Sequence, residues 1–439
     1  MGRELKKIIL IGPVYPYKGG ISHYTGLLYK SLAKKYDVTM ISYSFQYPKL
    51  LYKKEQRDFS NDTFNIEETQ YLLHTANPIN WFTTARKIQN MRPDLVIIQW
   101  WHPYFAPCYQ AIAGRLRSKG IKTLFVCHNV FPHERFPLDR LFTKKTLQKG
   151  NYFIVQSTQD EEDLKSIIPG ARYTRAVHPT YNAFKMQDMS KEEARKQLGI
   201  KDDEKIILFF GFVRKYKGLD YLIDAMPDIV ERLPDCKLLV VGNFGEDKQE
   251  YLERISKAEV AINNCVSSIN NAVDSEEDKK ACGSAINVYD GYIPDKEVEK
   301  FFAACDVVVL PYISATQSGI VQIAYGFDKP VIATNVGGLP DVVTDGKTGF
   351  LVESKSPQSI SDAVIHFFEP GVAGQLASGV RKENYRFSWV RMVEHIEEFT
   401  HDAVKDENMV AKKTNNDMRT DVKATYILGS DKSGGQSMS

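Results

Sequence analysis

Short runs of β-branched and aliphatic residues recur along this chain, each separated from the next by a segment of helical length. That alternation limits what the chain can fold into. In the first half the runs are "KKIILIG", "DVTMISY", "DLVIIQW", "TLFVCHN", "YFIVQS" and "RAVHP"; in the second they are "KIILFFGF", "KLLVVGN", "INVYDGY", "DVVVLPY", "PVIATN" and "GFLV". Continuously apolar strands have both faces covered, as parallel strands joined by helices do. Two such series in tandem predict two Rossmann-like, doubly wound α/β domains. The length agrees, because 439 residues are too many for one ordinary core and two domains of about 150–200 residues are the natural division.

The polar stretch "MQDMSKEEARKQLGIKDDEK" (Met186–Lys205) reads as the interdomain connection, with room for one short helix. The first domain is then expected over 1–190 and the second over 203–385. Residues 257–284 are polar and poor in aromatics, and read as an extended loop or a helical insertion. Residues 403–439 have the composition of a disordered tail.

A formal net charge of +2 gives no whole-protein reason to expect nucleic acid as a partner. The six cysteines are dispersed singly, with no CxxC pair and no zinc-like spacing, which suggests a reducing compartment. The apolar run near the N-terminus is too short for a signal peptide, and no run of 18 apolar residues exists to cross a bilayer. A cytoplasmic protein is the expectation.

Three turns carry the chemistry. In "IGPVYPYKGGISHY" the first strand ends near Gly12, and Gly19 and Gly20 open a helix. Adjacent glycines let backbone N–H groups approach a ligand, and a helix N-terminus suits phosphate. The loop is too long for the dinucleotide GxGxxG pattern. In "PYISATQSGIVQIAYGF" a small polar turn leads to a helix with Ser318 as the expected N-cap. The first-turn amides of Gly319, Ile320 and Val321 would be orphan donors for a diphosphate. In "FFGFVRKYKGLDYLIDA" a strand ends at Gly211, with Arg214 and Lys217 behind it. Two cations there can neutralise a diphosphate leaving group. Taken singly, the first two turns read equally well as plain turns and the third better as a solvated basic loop. Together they lie at the carboxyl ends of two sheets, where open α/β sheets bind ligands. His128 and His102 also stand at strand ends, and His133 and Glu134 follow in a loop. Such histidines can bond a sugar hydroxyl or act as a base, or serve the fold alone.

The second half resembles the retaining glycosyltransferases of family 4, which have the GT-B fold of two Rossmann-like domains facing a cleft. The resemblance rests on "FFGFVRKYKGLDYLIDA", "YDGYIPDKEVEKFFAACDVVVLPY" and "GFDKPVIATNVGGLPDVVTDGKTGFLV", in the family's order and spacing. "GPVYPYKGGISHY" and "VCHNVFPHE" resemble it less distinctively, and "FSWVRMVEHIEEF" is similar to the helix, about 386–402, that returns to the first domain. The resemblance implies transfer of a sugar from a nucleotide-diphosphate sugar to a glycan or lipid-linked acceptor, with retained anomeric configuration and no metal or other cofactor. Arg214 and Lys217 would bind the diphosphate, together with Gly19 and Gly20 and with Ser318, Gly319 and Ile320. His128 would touch the transferred sugar, and Asn243, Tyr292 and Ile293 would frame the base. The acceptor would meet first-domain loops such as "QWWHPYFAPCY".

One departure stands out. Ala315 and Ile323 occupy the positions where the family usually has two glutamates, one for the transferred sugar and one for the ribose. Thr316, Gln317 and Gln322 are adjacent and could supply polar groups. The arginine is displaced as well, three residues before Lys217 instead of directly after Gly211. The main expectation is therefore a metal-independent, retaining hexosyltransferase of surface polysaccharide biosynthesis. The competing one is a catalytically weak or inactive GT-B protein that binds a nucleotide sugar as a regulatory or scaffold subunit. An epimerase and an NAD-linked oxidoreductase fit less well. The basic clusters "GRLRSKGIK" and "TKKTLQKG" read first as solvated faces, then as contacts to an anionic membrane.

Overall fold

The computed structural model describes residues 6–51, 55–59, 65–132, 137–181, 184–245, 247–271, 284–315 and 318–399. The first domain holds strands β1 (Lys7–Ile11), β2 (Asp37–Phe45), β3 (Gln70–His74), β4 (Leu95–Trp100), β5 (Lys122–Cys127), β6 (Tyr152–Val155) and β7 (Tyr173–Arg175). Its helices are α1 (Gly20–Leu32), α2 (Pro78–Asn90), α3 (Ala106–Arg117), α4 (Asp139–Leu147) and α5 (Thr158–Ile167). The connection carries α6 (Lys191–Leu198). The second domain holds β8 (Lys205–Phe210), β9 (Cys236–Gly242), β10 (Ile286–Asp290), β11 (Val307–Leu310), β12 (Val331–Thr334) and β13 (Gly349–Val352). Its helices are α7 (Leu219–Arg232), α8 (Lys248–Asn271), α9 (Asp295–Ala304), α10 (Gly319–Gly326), α11 (Pro357–Phe367) and α12 (Val372–Glu383). A last helix, α13, spans 389–399.

Both sheets are wholly parallel among these strands, in the orders β3-β2-β1-β4-β5-β6-β7 and β10-β9-β8-β11-β12-β13. Strand order reverses beside β1 in one and beside β8 in the other, so the two switch points carry the Gly19–Gly20 turn and the Lys217 turn. Two strands differ from the sequence expectation. β3 was not foreseen, because it is a half-buried edge strand with only Leu73 fully buried. The expected run "RAVHP" begins as the strand ends, at Arg175.

Successive strand residues point to opposite faces. In β1, Ile8 and Leu10 enter one core while Ile9 and Ile11 enter another. In β8, Ile207 and Phe209 face a third core, whereas Ile206, Leu208 and Phe210 join the first. One core therefore runs through both domains. The α6 segment is not a loose tether. Ser190 and Glu193 form a reciprocal capping box at its start. Arg195, only 1% exposed, bonds the Ala304 and Asp202 carbonyls and pairs with Asp306 at 3.0 Å. Glu299 accepts from the amides of Met186, Gln187 and Met189. α6 is thereby docked on α9 of the second domain.

α8 shows that the first part of the 257–284 segment is helical up to Asn271; residues 272–283 and the expected tail lie outside the described residues. α13 packs on the first domain. Phe399 stacks on Tyr152 at 5.2 Å, Tyr36 donates to Glu397 at 2.6 Å, and Trp389 donates to the Thr180 carbonyl at 2.9 Å. Among the described residues no helix is long and apolar enough to cross a membrane.

Candidate active site

Each wall of the cleft starts from a strand-to-helix turn. Gly19, at φ 110, takes a conformation that other residues rarely adopt, and it caps α1 with no side chain in the way. A Cβ on Gly19 would meet nothing within 4 Å, and one on Gly20 only the Tyr181 hydroxyl at 3.9 Å. In the second domain Gly242, at φ 147, lies against Gly211 so closely that a Cβ would stand 2.0 Å from the Gly211 carbonyl oxygen. That approach brings the ends of β8 and β9 together under the cleft. α10 begins at Gly319 with Ser318 as N-cap, whose Oγ accepts from the Ile320 amide at 3.3 Å. Ser318 thus answers one of the first-turn donors that the sequence left open.

Between these walls lies a cavity of about 220 Å³. Of the expected residues it brings together Gly19, Gly20, Lys217, Asn243, Tyr292, Ile293, Gly319 and Ile320. Lys217 is the buried cation of the group, 9% exposed, with Nζ 5.5 Å from the Tyr312 ring centroid. It makes no ion pair with a carboxylate among the described residues. Burial holds its pKa below the usual lysine value; Tyr216 works against that shift and Arg214 with it. An ammonium in such a place is completed by an anion. Among the described residues no group of three or more His, Cys, Asp or Glu side chains could hold a metal ion.

Other expected residues stand apart from the cavity. Arg214 is exposed and off its wall, with Nη1 3.4 Å from where a Cβ on Gly245 would be. His128 is buried at 4% exposure and does not line the cavity. Its Nε2 donates to Gln99 Oε1 at 2.7 Å, and its ring meets the edge of Tyr24 at 4.6 Å. Burial, with His178 adding to it, lowers its pKa to about 3, so the ring is neutral. His178 is lowered to about 4, again by burial. His102 caps a short turn by accepting from the Tyr104 amide, and burial lowers its pKa too. Ser318 sits just behind the wall, 7% exposed, 3.3 Å from the Tyr312 hydroxyl. Ile323 lines the cavity, whereas Ala315 is buried and does not line it. Thr316, Gln317, His133 and Glu134 lie outside the described residues.

The structure adds residues that sequence reasoning missed. His23 of α1 and Asp295 of α9 both line the cavity, with Nε2 2.9 Å from Oδ2 across the two domains. Asp295 is 3% exposed and is the one carboxylate on the cavity wall among the described residues. Lys18 Nζ lies 5.1 Å above the Tyr292 ring, a second cross-cleft contact. Tyr181 donates to the Gly20 carbonyl at 3.1 Å and lies 3.2 Å from His178. Asp295 stands in the first turn of α9 and His23 in α1, on segments far apart in the chain. Only the fold makes them neighbours.

A family profile described as Glycosyltransferase Family 4 matches residues 18–176, and one described as Glycosyl transferases group 1 matches residues 190–386. The chain is 29% identical over 229 residues to the D-inositol 3-phosphate glycosyltransferase of Corynebacterium aurimucosum, covering 50% of this chain and 48% of that one. It is 24% identical over 424 residues to spore coat protein SA of Bacillus subtilis, covering 89% and 98%. The match spans about half the length of the first such relatives. Among solved structures, Anabaena HepE in complex with UDP aligns with a TM-score of 0.64 at 17% identity, over 91% of this chain and 100% of that one.

Proposed function

The chain belongs to the family-4-like glycosyltransferases with the GT-B fold, and on that premise we propose the following reaction. It moves a hexose from a nucleotide-diphosphate sugar to a glycan or lipid-linked acceptor with retention of anomeric configuration. The observation that carries this reading is the meeting of Lys217, the Gly19–Gly20 turn and the start of α10 around one interdomain cavity. Lys217 takes the diphosphate charge, helped by the amides of Gly20 and Gly319. That reading calls for no resident metal or cofactor, and EDTA is expected to leave the rate unchanged. Asn243, Tyr292 and Ile293 frame the base. Arg214 acts from the cleft mouth by longer-range attraction. His128 supports the site from below by fixing Tyr24 and Gln99. The UDP complex of HepE supports a nucleotide donor.

Ala315 and Ile323 provide no carboxylate for hydroxyl recognition, and we assign that contact to Asp295. The two non-acidic positions also favour the second reading, a nucleotide-sugar binder without turnover. A panel of UDP-, GDP- and ADP-sugars assayed for donor hydrolysis, with and without acceptors, separates them. Release of nucleotide from one donor is expected; binding without any release supports the second reading. The setting we propose is surface polysaccharide assembly at the cytoplasmic face of the membrane, with the basic clusters resting on anionic lipid.

A further inference from the structure

A second interdomain cavity, of about 630 Å³, shares no lining residue with the Lys217 cavity. The first domain contributes Gln156, directly after β6, and Arg175, the last residue of β7. The second domain contributes Asp341, in the loop after β12, and Arg386 lines the cavity from the turn before α13. Arg391 and His395 come from α13 itself. Three arginines therefore share this wall with a single carboxylate among the described residues.

The arginines are held in place. The Asp341 carboxylate accepts from the Thr158 amide at 2.7 Å and from its hydroxyl at 2.8 Å, across the two domains. Arg386 donates to the Asp341 carbonyl and lies 3.3 Å from Glu383. Arg391 Nη1 pairs with Glu394 at 3.0 Å, and Arg175 Nη1 donates to the Thr158 hydroxyl. Each arginine spends one or two nitrogens on such contacts, and a guanidinium carries five N–H groups, so donors are left over. Glu383 and Glu394 steady the arginines from outside, since neither lines the cavity. Gln156 adds an unmet acceptor. It is 1% exposed, its Nε2 donates to the Tyr24 hydroxyl at 3.1 Å, and its Oε1 has no hydrogen-bond partner among the described residues. A buried acceptor left open in this way calls for a donor.

Planar guanidinium forks match the oxygens of a phosphate. The open amide oxygen asks for a hydroxyl beside that phosphate, and the cavity has room for more than a bare anion. No Phe or Trp lines it and its one tyrosine, Tyr385, is 60% exposed, so a nucleotide base has no buried ring to stack on. We infer that this cavity binds the phosphate ester of a sugar or polyol as a free small molecule, with Arg175, Arg386 and Arg391 on the phosphate and Gln156 Oε1 on a hydroxyl. A headgroup on a bilayer surface does not reach an acceptor buried as Gln156 is. The ligand touches both domains and α13, so its binding holds them in one arrangement. The site is independent of the transfer reading, which UDP titration tests by itself.

The test is calorimetric titration of the full chain with glucose 6-phosphate, mannose 1-phosphate and glycerol 3-phosphate, with inorganic phosphate and glucose as controls. At least one ester is expected to bind, more tightly than either control. Replacing both Arg386→Gln and Arg391→Gln should weaken it at least about tenfold. Arg391→Gln alone and Gln156→Leu should each cost about threefold, so the result does not hang on the double variant. Thermal unfolding without ligand reports that each variant is folded. Lys217→Met should leave ester binding unchanged, which separates this cavity from the first. No ester bound, inorganic phosphate bound as tightly as the best ester, or binding indifferent to the arginine and glutamine substitutions overturns the inference. Loss of ester binding in Lys217→Met, or displacement of the ester by phosphatidylglycerol vesicles, overturns it as well. If the esters behave as stated and no nucleotide binds, this site stands and the transfer reading falls.

Discussion

A buried ammonium without a carboxylate beside it destabilises a fold until an anion joins it, and Lys217 is in that position. Lys217→Met should therefore stabilise the ligand-free protein, by about 1 kcal/mol or a few degrees in Tm, while weakening nucleoside-diphosphate binding at least about tenfold. Thermal scans with and without UDP measure both. Asp295 makes the opposite kind of contribution. Asp295→Asn keeps the shape and removes the cavity's carboxylate, so affinity for a nucleotide sugar should fall by about tenfold, roughly 1.4 kcal/mol; an unchanged Kd would free Asp295 of that role. His128 and His178 control a pH effect. Their folded-state pKa values, about 3 and about 4, lie below the ordinary histidine value. The unfolded chain then binds more protons, and stability is lost as pH falls from about 6.5 towards 4. Asp160, raised to about 7 by burial, opposes this with a contribution lost as pH rises. Comparing wild type with His128→Gln isolates the histidine part: the substituted protein should show a shallower fall of Tm over that range.

At the scale of elements, the capping box of α6 gives a local prediction. Ser190→Ala should cost about 1 kcal/mol, read by denaturant unfolding, because the Glu193 amide loses its acceptor. Much of the fold could be read from such local signals. Runs such as "KIILFF" are buried on both faces and announce themselves as parallel strands. Ser318 before Gly319 announces the start of α10. β3 escaped notice because an edge strand with exposed Tyr71 carries a weak pattern. The site was half legible on the same terms. Gly19, Gly20, Lys217 and Gly319 stand at strand-to-helix turns, where position along the chain predicts position in the cleft. His23 and Asp295 are a pair made by topology between distant segments, and neither member carries a local mark. His128 shows the converse: the strand end was correctly placed, but the residue that follows a strand can turn beneath the helix, and here it bonds Gln99.

The whole molecule is two sheets sharing one core, closed by α13 returning to the first domain. That arrangement makes the cleft a property of both domains, and His23–Asp295 and Lys18–Tyr292 span it. A nucleoside diphosphate bound there touches both walls, so it should stabilise the chain as a single unit, in one transition. The most direct measurement is calorimetric titration of UDP, GDP and ADP into the wild-type protein and Lys217→Met. The proposed site predicts that at least one nucleotide binds the wild type with one-to-one stoichiometry and at least about tenfold more weakly after the substitution. Binding by none of them to the folded protein, or binding equally tight without Lys217, would contradict it.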